Sequence, residues 1–255
     1  MLRFFKFRQE LFGPVPAKDV YVKRPTGRGW PEECPPIRAA NAFGFDLLAN
    51  FDVTFNQSDD GTWSAEPDVE LASDFDWSPD EETPGQPLTQ RFCWFWQRGQ
   101  TIPHEITDDV HDVIRNQVKV SSFLYLDTDQ NELLSMGPMP NAKPMHEAGW
   151  RTMAAVAETD WYPASSPWHV VLELDPSRRS VSLAKGEPIA RIVPLRRDTY
   201  FAQPMSPVEF DGFFERSQRW LATHGRPHDD AGQGGRDITR TYVKQQARSR
   251  FIVLD

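Results

Sequence analysis

The strongest candidates for chemistry are two carboxylates spaced two residues apart, Glu158 and Asp160 in Glu158-Thr-Asp-Trp-Tyr-Pro163. On a strand this spacing puts both on one face. There, mutual repulsion raises one pKa and separates acid from base, or the pair holds a divalent metal. In a turn, the same carboxylates would accept backbone hydrogen bonds while Trp161 and Pro163 pack beside them. Asp46 lies between Phe45 and Leu47 in an apolar run. A buried carboxylate is costly unless paired, so Asp46 needs a partner: Arg38, Arg191 or a ligand. Glu187, in Lys185-Gly-Glu-Pro188, is placed either to cap a turn or to face a ligand. Together with Asn141 and Trp161, Asp46 and Glu187 form the expected ligand-binding set; Glu158 and Asp160 are the catalytic candidates.

The remaining reactive residue types point to less. His104, His111, His146, His169, His224 and His228 show no His-x-His or His-Glu-x-x-His spacing, so no metal ligand set is assigned and the cofactor is left open. His169 falls in an expected strand and His224 at the end of an expected helix. Cys34 and Cys93 are too few for a disulfide framework or a four-cysteine zinc site and read as reduced thiols of a cytoplasmic protein. Cys93, between Trp94 and Phe92, reads as a buried thiol. No Walker loop, dinucleotide fingerprint or nucleophile elbow is present.

The elements that position these residues follow from composition. The chain of 255 residues has 28 Lys and Arg against 37 Asp and Glu, a net charge of −9, which argues against duplex nucleic acid as a partner. No apolar run approaches the length of a membrane helix, so no membrane partner is expected. The 22 prolines and 15 glycines interrupt runs rich in aromatic and β-branched residues, which suits strands and turns.

The expected fold class is mostly β: a β-clip or jelly-roll-like antiparallel domain with a C-terminal helix. Residues 1–36 read as an extended proline-rich arm, 37–205 as the β-rich core, 206–225 as the helix and 226–255 as a polar tail whose apolar end docks. Asn41 to Phe55 reads as two strands joined near Ala49-Asn50, and Phe51, Val53 and Phe55 alternate at strand period. Arg91 to Trp96 and Val120 to Leu126 read as strands, residues 107–119 as a helix, and Val170–Leu174 with Ser180–Leu183 as a hairpin. Pro188 to Pro194 brackets another strand. Val208, Phe210, Phe213, Phe214, Trp220 and Leu221 make the apolar stripe of the helix, with Gly225 as its stop.

Four segments in order, Asn41-Ala-Phe-Gly-Phe-Asp46, Gly137-Pro-Met-Pro-Asn141, Glu158-Thr-Asp-Trp-Tyr-Pro163 and Lys185-Gly-Glu-Pro188, resemble an uncharacterised bacterial family known as a domain of unknown function. The resemblance runs over about residues 36–200 and implies a shared fold. More weakly, Gly44-Phe-Asp-Leu47, the turn ending at Asn141, Ala155 to Trp161 and Gly186-Glu-Pro-Ile-Ala-Arg191 are similar to successive segments of dUTPases and dCTP deaminases. That similarity implies a compact, mostly antiparallel domain and sets Glu158 and Trp161 near where those enzymes hold a sugar. Their Arg-Ser-Ser phosphate turn is replaced here by Met136-Gly-Pro-Met-Pro-Asn141, which has no cation and fewer amide donors.

Two functions are expected from these residues. One is a soluble domain that binds a small molecule or peptide in an aromatic-lined pocket. The alternative is a metal-assisted enzyme acting on such a ligand through clustered carboxylates.

Overall fold

The computed structural model describes residues 1–6, 10–18, 34–65, 104–106, 116–162, 167–198, 200–227 and 236–237. The expected strand Arg91–Trp96, most of the acidic stretch after Asp60, most of the helix expected over 107–119 and the end of the tail lie outside these residues. The chain divides into two compact units, one of residues 1–20 and 40–198, the other of 21–39 and 199–255.

The first unit is built of strands paired antiparallel throughout. In chain order they are β1 (Arg3–Lys6), β2 (Val15–Pro16), β3 (Phe45–Leu48), β4 (Val53–Gln57), β5 (Trp63–Ala65), β6 (His104–Ile106), β7 (Gln117–Ser121) and β8 (Leu124–Asp127). They continue with β9 (Glu132–Gly137), β10 (Trp150–Thr152), β11 (Ala155–Ala157), β12 (His169–Leu174), β13 (Ser180–Leu183) and β14 (Pro188–Arg196). The sheets run β11-β9-β14-β3-β2, β10-β12-β7-β6 and β13-β4-β5, with β1 and β8 as a two-stranded ribbon. Strands adjacent in sequence repeatedly go to different sheets, which gives the jelly-roll-like, mostly β domain expected from the sequence.

The period of two decides what is buried. Val118 and Val120 of β7, Val170, Leu172 and Leu174 of β12, Leu134 and Met136 of β9, and Val181 and Leu183 of β13 all enter one apolar core. Phe51 and Phe55 are almost fully enclosed there, and Phe51 meets Phe123 edge to face at 6.1 Å. β14 is different: Ile189, Ala190, Arg191 and Ile192 are buried in succession, as expected of a strand covered on both faces.

Three expectations are corrected. The run Val120–Leu126 is not one strand: it breaks after Ser121, where Phe123 takes a left-handed φ of 55°. The Ser121 and Ser122 hydroxyls accept the backbone N–H groups of Phe123 and Leu124, so the corner supplies the hydrogen bonds that the ladder loses. The apolar run is thereby shared between β7 and β8. Gln117–Lys119, read as the end of a helix, belong to β7 instead. Nor do Val170–Leu174 and Ser180–Leu183 form a hairpin. β12 pairs with β7 and β10, and β13 with β4. The turn between them is held by Asp175, whose Oδ1 accepts from the Ser177 amide and hydroxyl, and it carries the chain from one sheet to another.

Arg191 of β14 fixes the centre of the largest sheet. It lies directly across from Asp46 of β3 and donates to its carboxylate at 2.6 Å. Its other nitrogens donate to the carbonyls of Ala40, Phe43 and Asn41 at 3.0, 2.8 and 3.1 Å. This clamps the chain entering β3 against β14. Gly44, within that entry, has φ +88°, and a Cβ there would stand 2.5 Å from the Ile192 carbonyl oxygen, so only glycine fits.

The helices are α1 (Pro35–Asn41), α2 (Met145–Ala148) and α3 (Pro207–His224). α1 is a short helix where the sequence suggested extended arm passing into core. α3 starts at the Ser206 capping box closed by Glu209 and carries the C-terminal apolar stripe. None of the described helices is long and apolar enough to cross a membrane.

Replacing Arg191 by methionine leaves the Asp46 carboxylate and three carbonyls without their donor. The expected loss is about 3–5 kcal/mol of unfolding free energy in urea titration. A loss under about 1 kcal/mol would show that the clamp does not hold the sheet.

Candidate functional site

β14 sorts the carboxylates singled out by sequence. Glu187, just before the strand, accepts the Ala184 backbone N–H at 3.1 Å and closes its own turn. Asp46 meets Arg191 four residues further on, both side chains largely buried. Glu158 and Asp160 meet Arg197, just past the end of the strand. At ~3.3 Å per residue, Arg191 and Arg197 are about 20 Å apart. The four carboxylates therefore stand at three stations along one strand and do not share a pocket. Among the described residues no three His, Cys, Asp or Glu side chains gather to hold a metal.

Glu158 and Asp160 do converge, but not by lying on one face of a strand. β11 ends at Ala157, and the two acids sit in the turn that follows. Arg197 gathers them: its Nη2 and Nε donate to the two oxygens of Asp160 at 2.7 and 3.0 Å, and Nη1 reaches Glu158 at 3.4 Å. The bidentate contact holds the Asp160 carboxyl well below the usual carboxylate range. Thr159, buried between them, shares a hydroxyl hydrogen bond of 2.7 Å with Thr128, tying this turn to the one after β8. The backbone N–H of Arg197 donates to Asn131 in that second turn at 2.8 Å.

Trp161 projects from this turn, 64% exposed, and its indole N–H donates to Glu158. Its ring meets Tyr162 edge to face at 6.0 Å, and Tyr162 meets Trp168 in the same manner at 6.3 Å. Tyr162 also lines an open cavity of about 340 Å³ beside the β1–β8 ribbon, with Phe4, Phe5, Tyr125 and Leu126 as its apolar walls. At its rim Arg3 donates to Asp127 at 2.7 Å and to Asp129 at 2.5 Å. Burial pushes the Tyr125 hydroxyl pKa well up, which keeps it protonated.

Asn141 is placed elsewhere. It adopts φ +57°, a conformation asparagine tolerates, and its side-chain Nδ2 donates to the Asn41 side-chain oxygen Oδ1 at 2.8 Å. It stands beside the Arg191 clamp, so Asn41, Gly44, Asp46 and Asn141 form one group and Trp161 belongs to another. His169 lies in β12 and His224 stacks on Trp220 at the end of α3.

Sequence reasoning missed Arg3, Phe4, Phe5, Tyr125 and Asp127, because the pocket arises where β1 pairs with β8, from Arg3 opposite Asp127 to Lys6 opposite Leu124. The local signal was the alternation of charge and aromatics in Arg3-Phe-Phe-Lys6. Arg197 left a weaker trace, a second arginine after the strand's last apolar residue.

Because Asp160 has a lower pKa folded than unfolded, its contribution to stability is complete above about pH 4 and is lost as the pH falls through the folded value. Asp160→Asn should therefore show a flatter fall of melting temperature between about pH 4 and pH 2 than the parent protein. Equal acid limbs would mean that Arg197 does not hold this carboxylate.

No protein-family model matches the sequence, and no curated protein matches it. Among solved structures the chain is similar to a native EIAV dUTPase, with TM-score 0.33 and 11% identity over 81% of this chain and 98% of that one. It is similar to a mutant dUTPase from phage phi11 of S. aureus, with TM-score 0.36 and 8% identity over 82% and 99%. It is also similar to the Staphylococcus bacteriophage 80alpha dUTPase, with TM-score 0.36 and 7% identity over 81% and 96%. These likenesses are weak, and no family model bears out the resemblance of the four ordered segments to a bacterial family of unknown function.

Proposed function

We propose that this chain is a binding domain that takes a small molecule, or a peptide side chain, carrying a flat apolar group into the cavity beside β1 and β8. The supporting observation is the cavity itself: about 340 Å³, walled by Phe4, Phe5, Tyr125, Leu126 and Tyr162. That volume falls at the lower end of the roughly 300–1,000 Å³ of small-molecule sites. Aromatic walls favour a planar ligand, since offset and edge-to-face ring contacts add to apolar burial. Arg3 and Asp127, bonded to each other at 2.7 Å, close the rim and leave the aromatic walls as the binding surface.

A metal-assisted reaction through clustered carboxylates has less support. Asp46, Glu158 and Asp160 are engaged by arginines, and Glu187 by its own turn. We place the domain in the cytoplasm, on the reading of Cys34 and Cys93 as reduced thiols.

Screening the full chain against planar aromatic compounds and short aromatic peptides tests the proposal, with melting temperature as the readout. Compounds that raise the melting temperature are expected to lose at least about tenfold in affinity with Tyr162→Ala or Phe5→Ala, circular dichroism remaining unchanged. Trp161→Phe should leave the thermal shift in place, since Trp161 does not line the cavity. Hits that bind both pocket variants as tightly as the parent, or no hit from either library, would overturn it.

A further inference from the structure

The second unit contains an apolar surface that the pocket does not use. In α3, Phe210, Phe213 and Phe214 recur at helical spacing on one face, and Ser217, Trp220, Leu221 and His224 continue the same stripe. The stripe is not uniform. Trp220 and Leu221 are half-buried, whereas Phe210, Phe213 and Phe214 are 51%, 46% and 50% exposed. The three exposed rings form one patch: Phe210 stacks on Phe214 at 6.0 Å and lies 6.5 Å from Phe213. Ahead of the helix Tyr200, Phe201 and Met205 are exposed as well. At about 100 Å² for each half-exposed large side chain, these six residues expose about 600 Å², of which the three neighbouring rings of α3, about 300 Å², form one patch.

Charge identifies what covers the patch. Glu209 and Arg216 are seven residues apart, so both flank the aromatic stripe on the same side. Acids (Glu209, Asp211, Glu215) occupy the first half of the helix, and bases (Arg216, Arg219) the second. Arg219 is satisfied within the helix by Glu215 at 3.1 Å, but among the described residues Arg216 has no ion-pair partner. An identical helix laid antiparallel, with its dyad between Gly212 and Phe213, puts Glu209 of each copy opposite Arg216 of the other, twice. The same register packs the Phe213 rings at the centre, with Phe210 and Phe214 on either side. A parallel copy would set Glu209 and Arg216 against apolar positions instead.

We propose that the exposed half of α3 is a homodimerisation surface, and that a second copy of this chain docks on it antiparallel, with its orientation set by reciprocal Glu209–Arg216 pairs. The pattern is self-complementary under two-fold symmetry, as an isologous interface requires. Two copies that cover all six residues of each would bury about 1,200 Å², the lower edge of stable interfaces, and the expected dimer is a reversible one at micromolar concentrations.

Sedimentation equilibrium on the full chain across a concentration series decides the matter, with circular dichroism to confirm that α3 stays folded. The parent protein should pass from one chain to two as concentration rises. Phe213→Asp should remain a single chain at every concentration. Glu209→Gln, which keeps the capping box, and Arg216→Gln should each raise the dissociation constant severalfold, and the two together should cost no more than either alone. A parent protein that stays monomeric throughout, whether the face is bare or covered by the chain's own residues, would overturn the proposal. So would a dimer that survives Phe213→Asp, or Glu209→Gln and Arg216→Gln effects that simply add in the double variant.

Discussion

A guanidinium inside a β-sheet has to find a donor's worth of acceptors on every side, and Arg191 does so by recruiting chain from outside the strand. One nitrogen goes to Asp46 and the others to the carbonyls of Ala40, Asn41 and Phe43, so the charge is matched and the segment before β3 is drawn onto β14. Much else follows from this arrangement. Gly44 has to be glycine because the segment passes against the Ile192 carbonyl, and Asn141 bonds to Asn41 because the segment is held in reach. Replacing such a pair by apolar residues of the same shape can be neutral in energy, whereas removing one partner is not. Arg191 therefore contributes chiefly to which strands are neighbours.

The opposite end of β14 uses charge differently. Arg197 lies outside the ladder and is partly open to water, and it gathers Glu158 and Asp160 from a single turn. Thr128 and Thr159 bond behind it, and the turn carries Trp161, whose ring meets Tyr162 of the cavity wall. The acids that looked most like chemistry from their spacing thus position aromatics.

Where alternation along the chain determined the outcome, the sequence could be read. Phe51, Val53 and Phe55, the strand within Pro188–Pro194, and the capped apolar stripe of α3 were all visible because their periods are local. Asp46 was legible as a buried acid needing a cation because its neighbours are apolar, and Arg191 was among the partners named for it. What was not legible depended on pairing at long range. The break at Phe123 comes from serine hydroxyls replacing ladder bonds, which period alone does not reveal. The separation of β12 from β13 depends on β7 and β4, each more than 45 residues upstream of the strand it pairs with. The cavity needs Arg3 to Lys6 to meet Leu124 to Asp127 across more than a hundred residues, so no window of sequence contains it.

The buried clamp and the aromatic cavity share no residue, and that separation has an evolutionary consequence. Sites separated by more than about 10 Å and sharing no partner respond to substitution independently. The walls of the cavity can therefore change residue by residue while the clamp keeps the strands in their order. A scaffold divided in this way can vary one surface without relearning how to fold.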